Sequence, residues 1–473
     1  MSPSLALFVW LIFLLGLLLF DPAKEPATSW ALWVPVTWMF IVASRLPSQW
    51  LGGGRTDLVN QALEEGNSTD RSIFIILITL SIAILWSRSF QWRSFLTLNA
   101  ALTVFLLFAA VSACWSDFPF ISSKRWFRDI GNYLAALVVL THPDPSEALR
   151  TVLRRLCYLL IPLSILLIKY FRAIGLFYNS WTGEELCIGA ASSKNSLGAL
   201  CLGTSIFLLW DILTTWPRRH TSTGRRRVLV NATLFAMNLW LLHRAHSATS
   251  GTCLLLGIVI LVAVNSSALR RRPRLLALLA PTCVLLCPIL FFGLNFRAEI
   301  AGAVGRDPTL TERTQIWDFL TNMKTDPILG TGYDSFWLGS RLQTVANQFG
   351  YLNEAHDGYL EIYLNLGIVG LVLFAAFLIV SYRSALGRSG QLAPLRSLGI
   401  TLWSVLLIYN VTEAAFSWSL IWIMFLLGSL AVPLQAPELE NTLDNGALYV
   451  DWVQTTEEQP GSFLLAEPIL TNL

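Results

Sequence analysis

The sequence predicts an all-α polytopic integral membrane protein with about 12–13 transmembrane helices and one large polar loop. Three observations carry that expectation. The chain is 54% hydrophobic and only 13% charged, where soluble domains carry roughly 25% charged residues. Apolar runs of about 17–24 residues, long enough for a hydrocarbon core of about 30 Å, recur along it. One long polar stretch, residues 295–357, interrupts them.

Taken in order, the runs lie near 4–20, 28–45, 72–88, 95–115, 130–142, 155–171, 194–213, 227–243, 250–267, 275–294, 358–381, 397–412 and 414–432. Inside lipid each backbone polar group needs an internal partner, so these runs are expected as helices. The first has no basic flank and no small-residue cleavage site, so it reads as a retained helix. The 7 Cys are scattered, mostly within apolar runs, and form no CxxC, which suggests neither a disulfide framework nor a zinc site. The net charge of +3 says little about partners and gives no sign of nucleic-acid binding.

Basic residues set the orientation. Arg150, Arg154 and Arg155, then Arg218, Arg219, Arg225, Arg226 and Arg227, then Arg270, Arg271, Arg272 and Arg274, then Arg383, Arg388 and Arg396 crowd loops on one side, expected to be cytoplasmic. The connections at 46–71, 116–129, 172–193, 244–249 and 295–357 fall on the other side. Thirteen spans would put the N-terminus outside, twelve would put both ends inside. The expected organisation is therefore 1–294 and 358–432 as transmembrane helices, 295–357 as an outer catalytic loop, and 433–473 as a polar, acidic, disordered cytoplasmic tail. A loop as long as 295–357 is usually functional. No internal repeat is apparent. Charge in the middle of the spans is nearly absent and no broken helix is apparent, which counts against an ion-coupled transporter.

Basic residues on the outer side need a reason. Lys124, Arg125, Arg128, Lys169, Arg172, Lys194, Arg306 and Arg313 all fall there. The plain reason is snorkelling, or pairing with Asp117, Asp129 and Glu184. The sharper one is a shared anion site, where arginine offers a bidentate fork and lysine a point charge. Thr309 and Glu312 have capping-box spacing, which predicts a helix over about 310–323. On it Arg313, Ile316, Trp317 and Leu320 share one face, so Arg313 points toward the protein body. There it needs an anionic partner, either a substrate or a carboxylate such as Asp318 or Glu361. His356 stands just before an apolar run. A neutral imidazole with a pKa near 6.5 can take a proton from a hydroxyl, with Asp357 or Glu361 to orient it; a polar helix cap is the plain alternative. No HxxxH or DxD pairing supports a metal. Tyr333, Phe336, Trp337, Tyr351 and Tyr359 suit either an interfacial belt or a sugar-stacking cleft.

The run GRDPTLTERTQIWDFL, then DPILGTGYDSFW, then NEAHDGYLEIYLNLGIVGL, resembles the O-antigen ligase and exopolysaccharide polymerase family. Upstream, SRLPSQWL, SACWSDFPFISSKRWFRDIG, LIPLSILLIKYFRAIG and SSKNSLGALCLG resemble its exopolysaccharide branch, so the likeness runs over about residues 30–430. It implies a bacterial inner-membrane glycosyltransferase that uses undecaprenyl-diphosphate-linked oligosaccharide at the periplasmic face, with no metal and no cofactor. Other exopolysaccharide assembly proteins are implied as partners. His356 matches the histidine that activates the acceptor, and Arg313 the arginine that holds the diphosphate. Arg306, Lys124, Arg125, Arg128, Lys169, Arg172, Lys194 and Tyr333 are the expected donor-binding set. Two positions depart from the family pattern: HSATSGT has Ser250 and lacks an arginine found in many ligases, although Arg244 is close, and Ser193 stands where many relatives have histidine. The rival expectations are a ligase to lipid A core and a non-enzymatic exporter or flippase.

Overall fold

The computed structural model describes residues 2–19, 30–52, 66–178, 183–293, 311–350 and 352–433. Helices dominate it. The first group is α1 (Pro3–Leu19), α2 (Trp33–Ala43), α3 (Ser68–Ser87), α4 (Trp92–Leu98), α5 (Ala100–Val111), α6 (Pro119–Leu140) and α7 (Pro145–Tyr170). A small antiparallel hairpin follows, β1 (Leu176–Tyr178) against β2 (Glu185–Cys187). Next come α8 (Lys194–Thr215), α9 (Ser222–Ala245), α10 (Ala248–Asn265) and α11 (Pro273–Gly293). The polar loop contributes α12 (Thr311–Asn322) and α13 (Gly339–Phe349), and the chain continues through α14 (Gly358–Leu386), α15 (Arg396–Tyr409) and α16 (Leu420–Ser429). Among the described residues six helices are long and apolar enough to cross a membrane, with the α4–α5 pair as a seventh if it is one bent span. This is an all-α, multi-pass membrane protein, and each apolar run of the sequence contributes a helix among the described residues, although in the 414–432 run only Leu420–Ser429 is helical.

Three features differ from expectation. The 95–115 run bends by 96° between α4 and α5. Asn99 sits at the corner. Its amide donates to the carbonyls of Phe95 and Ala431, both at 2.9 Å, and its side-chain oxygen accepts from Ala431 N–H. That side chain ties down backbone groups near the bend. Segment 116–129, expected as a loop, is helical from Pro119, which opens α6 where a missing N–H costs nothing. Its polar residues hid the helix from an apolar reading, because Ser122, Asp129 and Asn132 are buried in protein rather than facing lipid.

The third is a broken helix where none was apparent. α14 leaves helical geometry at Gly367 (φ 62, ψ −165). In an unbroken helix the N–H groups of Ile368 and Val369 would bond to the carbonyls of Leu364 and Asn365. Here those N–H groups donate to Pro327 and Ile328 carbonyls (3.0 and 3.2 Å), while Thr331 and Gly332 N–H donate to Leu364 and Asn365 (3.1 and 2.8 Å). Residues 327–332 thus replace both missing helical bonds, as backbone buried away from water requires. The approach is close: a Cβ on Gly330 would lie 2.4 Å from the Asn365 carbonyl carbon, and Gly330 has φ +70.

The loop also has a core of its own. Leu320, Phe336, Trp337, Leu342, Val345, Ala355 and Leu364 are buried together, so α12 and α13 pack on the first turns of α14. Long-range contacts sort the connections into two ends. At one, Arg45 donates to the carbonyls of Ile174, Gly189 and Ala191, Arg341 meets Asp117, and Arg125 meets Asp334. At the other, Asp211 at the end of α8 pairs with Arg150 and Arg227, and Glu147 with Arg154.

Candidate active site

α12 starts at Thr311, so the capping pair at Thr309 lies outside the described residues. Its Arg313, Ile316, Trp317 and Leu320 face does turn inward. Leu320 is buried, and the Trp317 indole N–H donates to Ala355 carbonyl at 2.8 Å. Arg313 extends from this face to the connection between α15 and α16. One Nη donates to the Thr412 carbonyl, and the other to Glu413 Oε1 at 3.0 Å. The carboxylate beside Arg313 is therefore Glu413, in place of Asp318 or Glu361. A partner a hundred residues away is brought in by helix packing, which local spacing does not report.

His356 is fixed from both sides. Its own backbone is left-handed (φ 51), an uncommon state for a residue with a Cβ. Asp357 caps α14, its Oδ1 accepting from Tyr359 and Leu360 N–H at 2.9 and 3.0 Å. Gly358 N–H donates to the carbonyls of Asn410 and Glu413 (2.8 and 3.1 Å). A Cβ at Gly358 would meet Asn410 Oδ1 at 2.1 Å, so this approach requires glycine.

The imidazole Nδ1 lies 2.9 Å from Glu354 Oε1 and 3.6 Å from Glu413 Oε2. Burial of the ring pulls its pKa down, but the Glu354 and Glu413 carboxylates outweigh that and hold it up at about 9. A pKa held up in this way favours the imidazolium at neutral pH, where the sequence suggests a neutral ring near 6.5. Neither expected orienting group reaches it. Asp357 is engaged in the helix cap. Glu361 accepts from the Trp337 indole N–H at 2.9 and 3.0 Å and from Ala355 N–H.

Glu354, His356 and Glu413 bring their donor atoms within 4.8 Å of one another. A divalent cation can use such donors in principle. Here Arg313 already engages Glu413 Oε1, and the Asn195 amide donates to Oε2 at 3.1 Å. The cluster sets two cations, Arg313 and His356, against two carboxylates, Glu354 and Glu413.

The other expected residues divide into three groups. Lys194 opens α8 next to Asn195, so it borders the cluster, and among the described residues it has no ion-pair partner. Arg125, Arg128 and Tyr333 form a second cluster. Arg128 pairs with Asp129 (2.9 Å), Arg125 with Asp334 (3.5 Å), and the Tyr333 hydroxyl donates to Asp129 (2.8 Å). Arg128 also lies over the Trp418 ring at 4.4 Å. Lys124 lies near the Phe120 ring. The third group has other partners: Lys169 sits over Trp240, and Arg172 pairs with Glu185 on β2. Of the expected pairings, Asp129 with Arg128 occurs, whereas Asp117 takes Arg341. Arg306 lies outside the described residues. Tyr333→Phe is expected to destabilise the protein by about 1–3 kcal/mol, since it leaves a buried carboxylate oxygen without its donor; a thermal scan in detergent measures it.

Glu413 escaped the sequence reading. Its signal was present: it is the one Asp, Glu, Lys or Arg in residues 397–432. The connection that holds it joins the two clusters. Thr412 and Glu413 meet Arg313 and Asn195, and farther along Ser417 carbonyl accepts from Asn132 of α6 at 3.1 Å.

Residues 233–375 match the model of the O-antigen ligase family, a span that contains Arg313 and His356 and stops before Glu413. The chain is also similar to the exopolysaccharide production protein ExoQ of Rhizobium meliloti, 24% identical over 296 residues. That likeness covers 60% of this chain and 64% of the relative. Helical membrane architecture, matched region and relative agree: the chain is similar to the O-antigen ligase family over residues 233–375 and to an exopolysaccharide production protein over 60% of its length.

Proposed function

We propose that this protein elongates a polysaccharide at the periplasmic face of the bacterial inner membrane, using undecaprenyl-diphosphate-linked oligosaccharide as donor. The observation that carries this reading is the meeting of Arg313 and His356, from the two ends of the polar loop, at one buried carboxylate. An oxygen of the acceptor sugar bonds to the donor's anomeric carbon as the bond from that carbon to the diphosphate oxygen breaks. The electron pair leaves with the lipid diphosphate, which Arg313 and the His356 imidazolium stabilise. The hydroxyl proton passes to Glu354, the more exposed carboxylate beside the ring. Diphosphate is already a good leaving group, so positioning and charge suffice, without a metal.

Purified protein incubated with its cognate lipid-linked repeat alone is expected to give a ladder of longer chains and to release undecaprenyl diphosphate. Product that forms only when lipid A core is added would make the protein a ligase instead. No turnover under either condition, with folded protein, would favour an exporter or scaffold.

A further inference from the structure

Glu413 is a carboxylate in an otherwise uncharged stretch, and its side chain is only 6% exposed. Burying an ionised carboxylate is costly unless it is paired and hydrogen-bonded, so its partners identify its purpose. Oε1 accepts from Arg313, while Oε2 accepts from Asn195 and faces the His356 ring. The backbone repeats the pattern. Thr412 carbonyl accepts from Arg313, and Glu413 carbonyl accepts from Gly358, two residues past His356. One short connection thereby holds α8, α12 and the start of α14 to a common point.

We infer that Glu413 is the positioning residue of the transfer site, setting Arg313 and the His356 ring side by side so that both face one anionic group of the donor. This rests on the transfer reaction proposed above. Among the described residues the charged groups around the ring are few. Glu354 comes from its own segment, Glu413 from the α15–α16 connection, and Arg313 stands behind Glu413 on α12. Asp357 is turned to the N–H groups of α14. Glu413 is the only one of these that touches both cations. Removing its charge therefore releases both together, whereas removing Glu354 affects the ring alone.

Glu413→Gln keeps the shape and an acceptor oxygen but removes the charge. It is expected to lower kcat at least tenfold and to lower the His356 titration midpoint from about 9 by at least one pH unit. The midpoint is read by NMR of histidine-labelled protein, in which there are five histidines to assign. Glu413→Asp is expected to recover part of both. An unchanged midpoint overturns the inference. So does a rate loss that only follows the loss of folded protein, with the pH profile of the remaining activity unmoved. If the wild-type protein does not turn over the lipid-linked donor, the transfer reading fails, while the NMR midpoint still reports whether Glu413 holds His356.

Discussion

Arg313→Ala is expected to abolish long-chain product, lowering the transfer rate by at least about 100-fold, the usual effect of losing one preorganised charge-stabilising donor. The guanidinium makes two bonds, to Glu413 and to the Thr412 carbonyl, and each fixes its direction. Lysine supplies the charge without the fork, so Arg313→Lys should recover little. Alanine also leaves Glu413 short of its main counter-charge, and breaking a buried pair costs about 3–5 kcal/mol. Arg313 is itself part-exposed, which brings the cost down. Insertion and thermal stability must therefore be measured beside activity. Wild-type chain length from a well-inserted Arg313→Ala protein would remove the site from this loop.

His356→Ala should act similarly, and pH separates the roles open to the ring. With its pKa raised from 6.5 to about 9, the ring is charged at neutral pH. A rate that needs the imidazolium is flat from about pH 6.5 to 8 and falls as pH rises through about 9. A rate that needs a neutral base would instead climb toward pH 9. Stability follows the same sign: a raised pKa means the ion pairs stabilise the fold fully below about 6.5, and that contribution is lost as pH passes about 9.

Gly330→Ala is expected to have the largest effect on folding, roughly 3–5 kcal/mol from left-handed strain and overpacking together. Its Cβ would strike the Asn365 carbonyl and push residues 327–332 out of the break in α14. Four backbone hydrogen bonds would then lose their partners, and the loop that carries Arg313 would lose its seat on α14. Gly16→Ala is the control, because a Cβ there meets nothing within 4 Å. Equal melting temperatures for the two variants in detergent would mean that the 327–332 insertion contributes no stability.

Much of the fold was legible because lipid simplifies the problem. A long apolar run has one way to satisfy its backbone, so its position in sequence is its position on a helix. The inward face of α12 was legible too, since a 3.6-residue period fixes which of Arg313, Ile316, Trp317 and Leu320 lie together. Histidine and arginine at the two ends of the loop could be singled out by their scarcity and chemistry. Pairings could not. Asp318 and Glu361 were near in sequence or in type, yet Glu413 won because α15 and α16 carry it to the same end of the bundle. The break at Gly367 was equally hidden, since a helix can be interrupted there only if a distant segment supplies the missing bonds. By itself the sequence determined an all-helical membrane protein and singled out residues 305–371, with Arg313 and His356, as its candidate site. The tertiary structure decided that Glu413 meets both Arg313 and His356 and that the carboxylates beside His356 hold its pKa up, because burial and long-range charge set a pKa that no local pattern encodes.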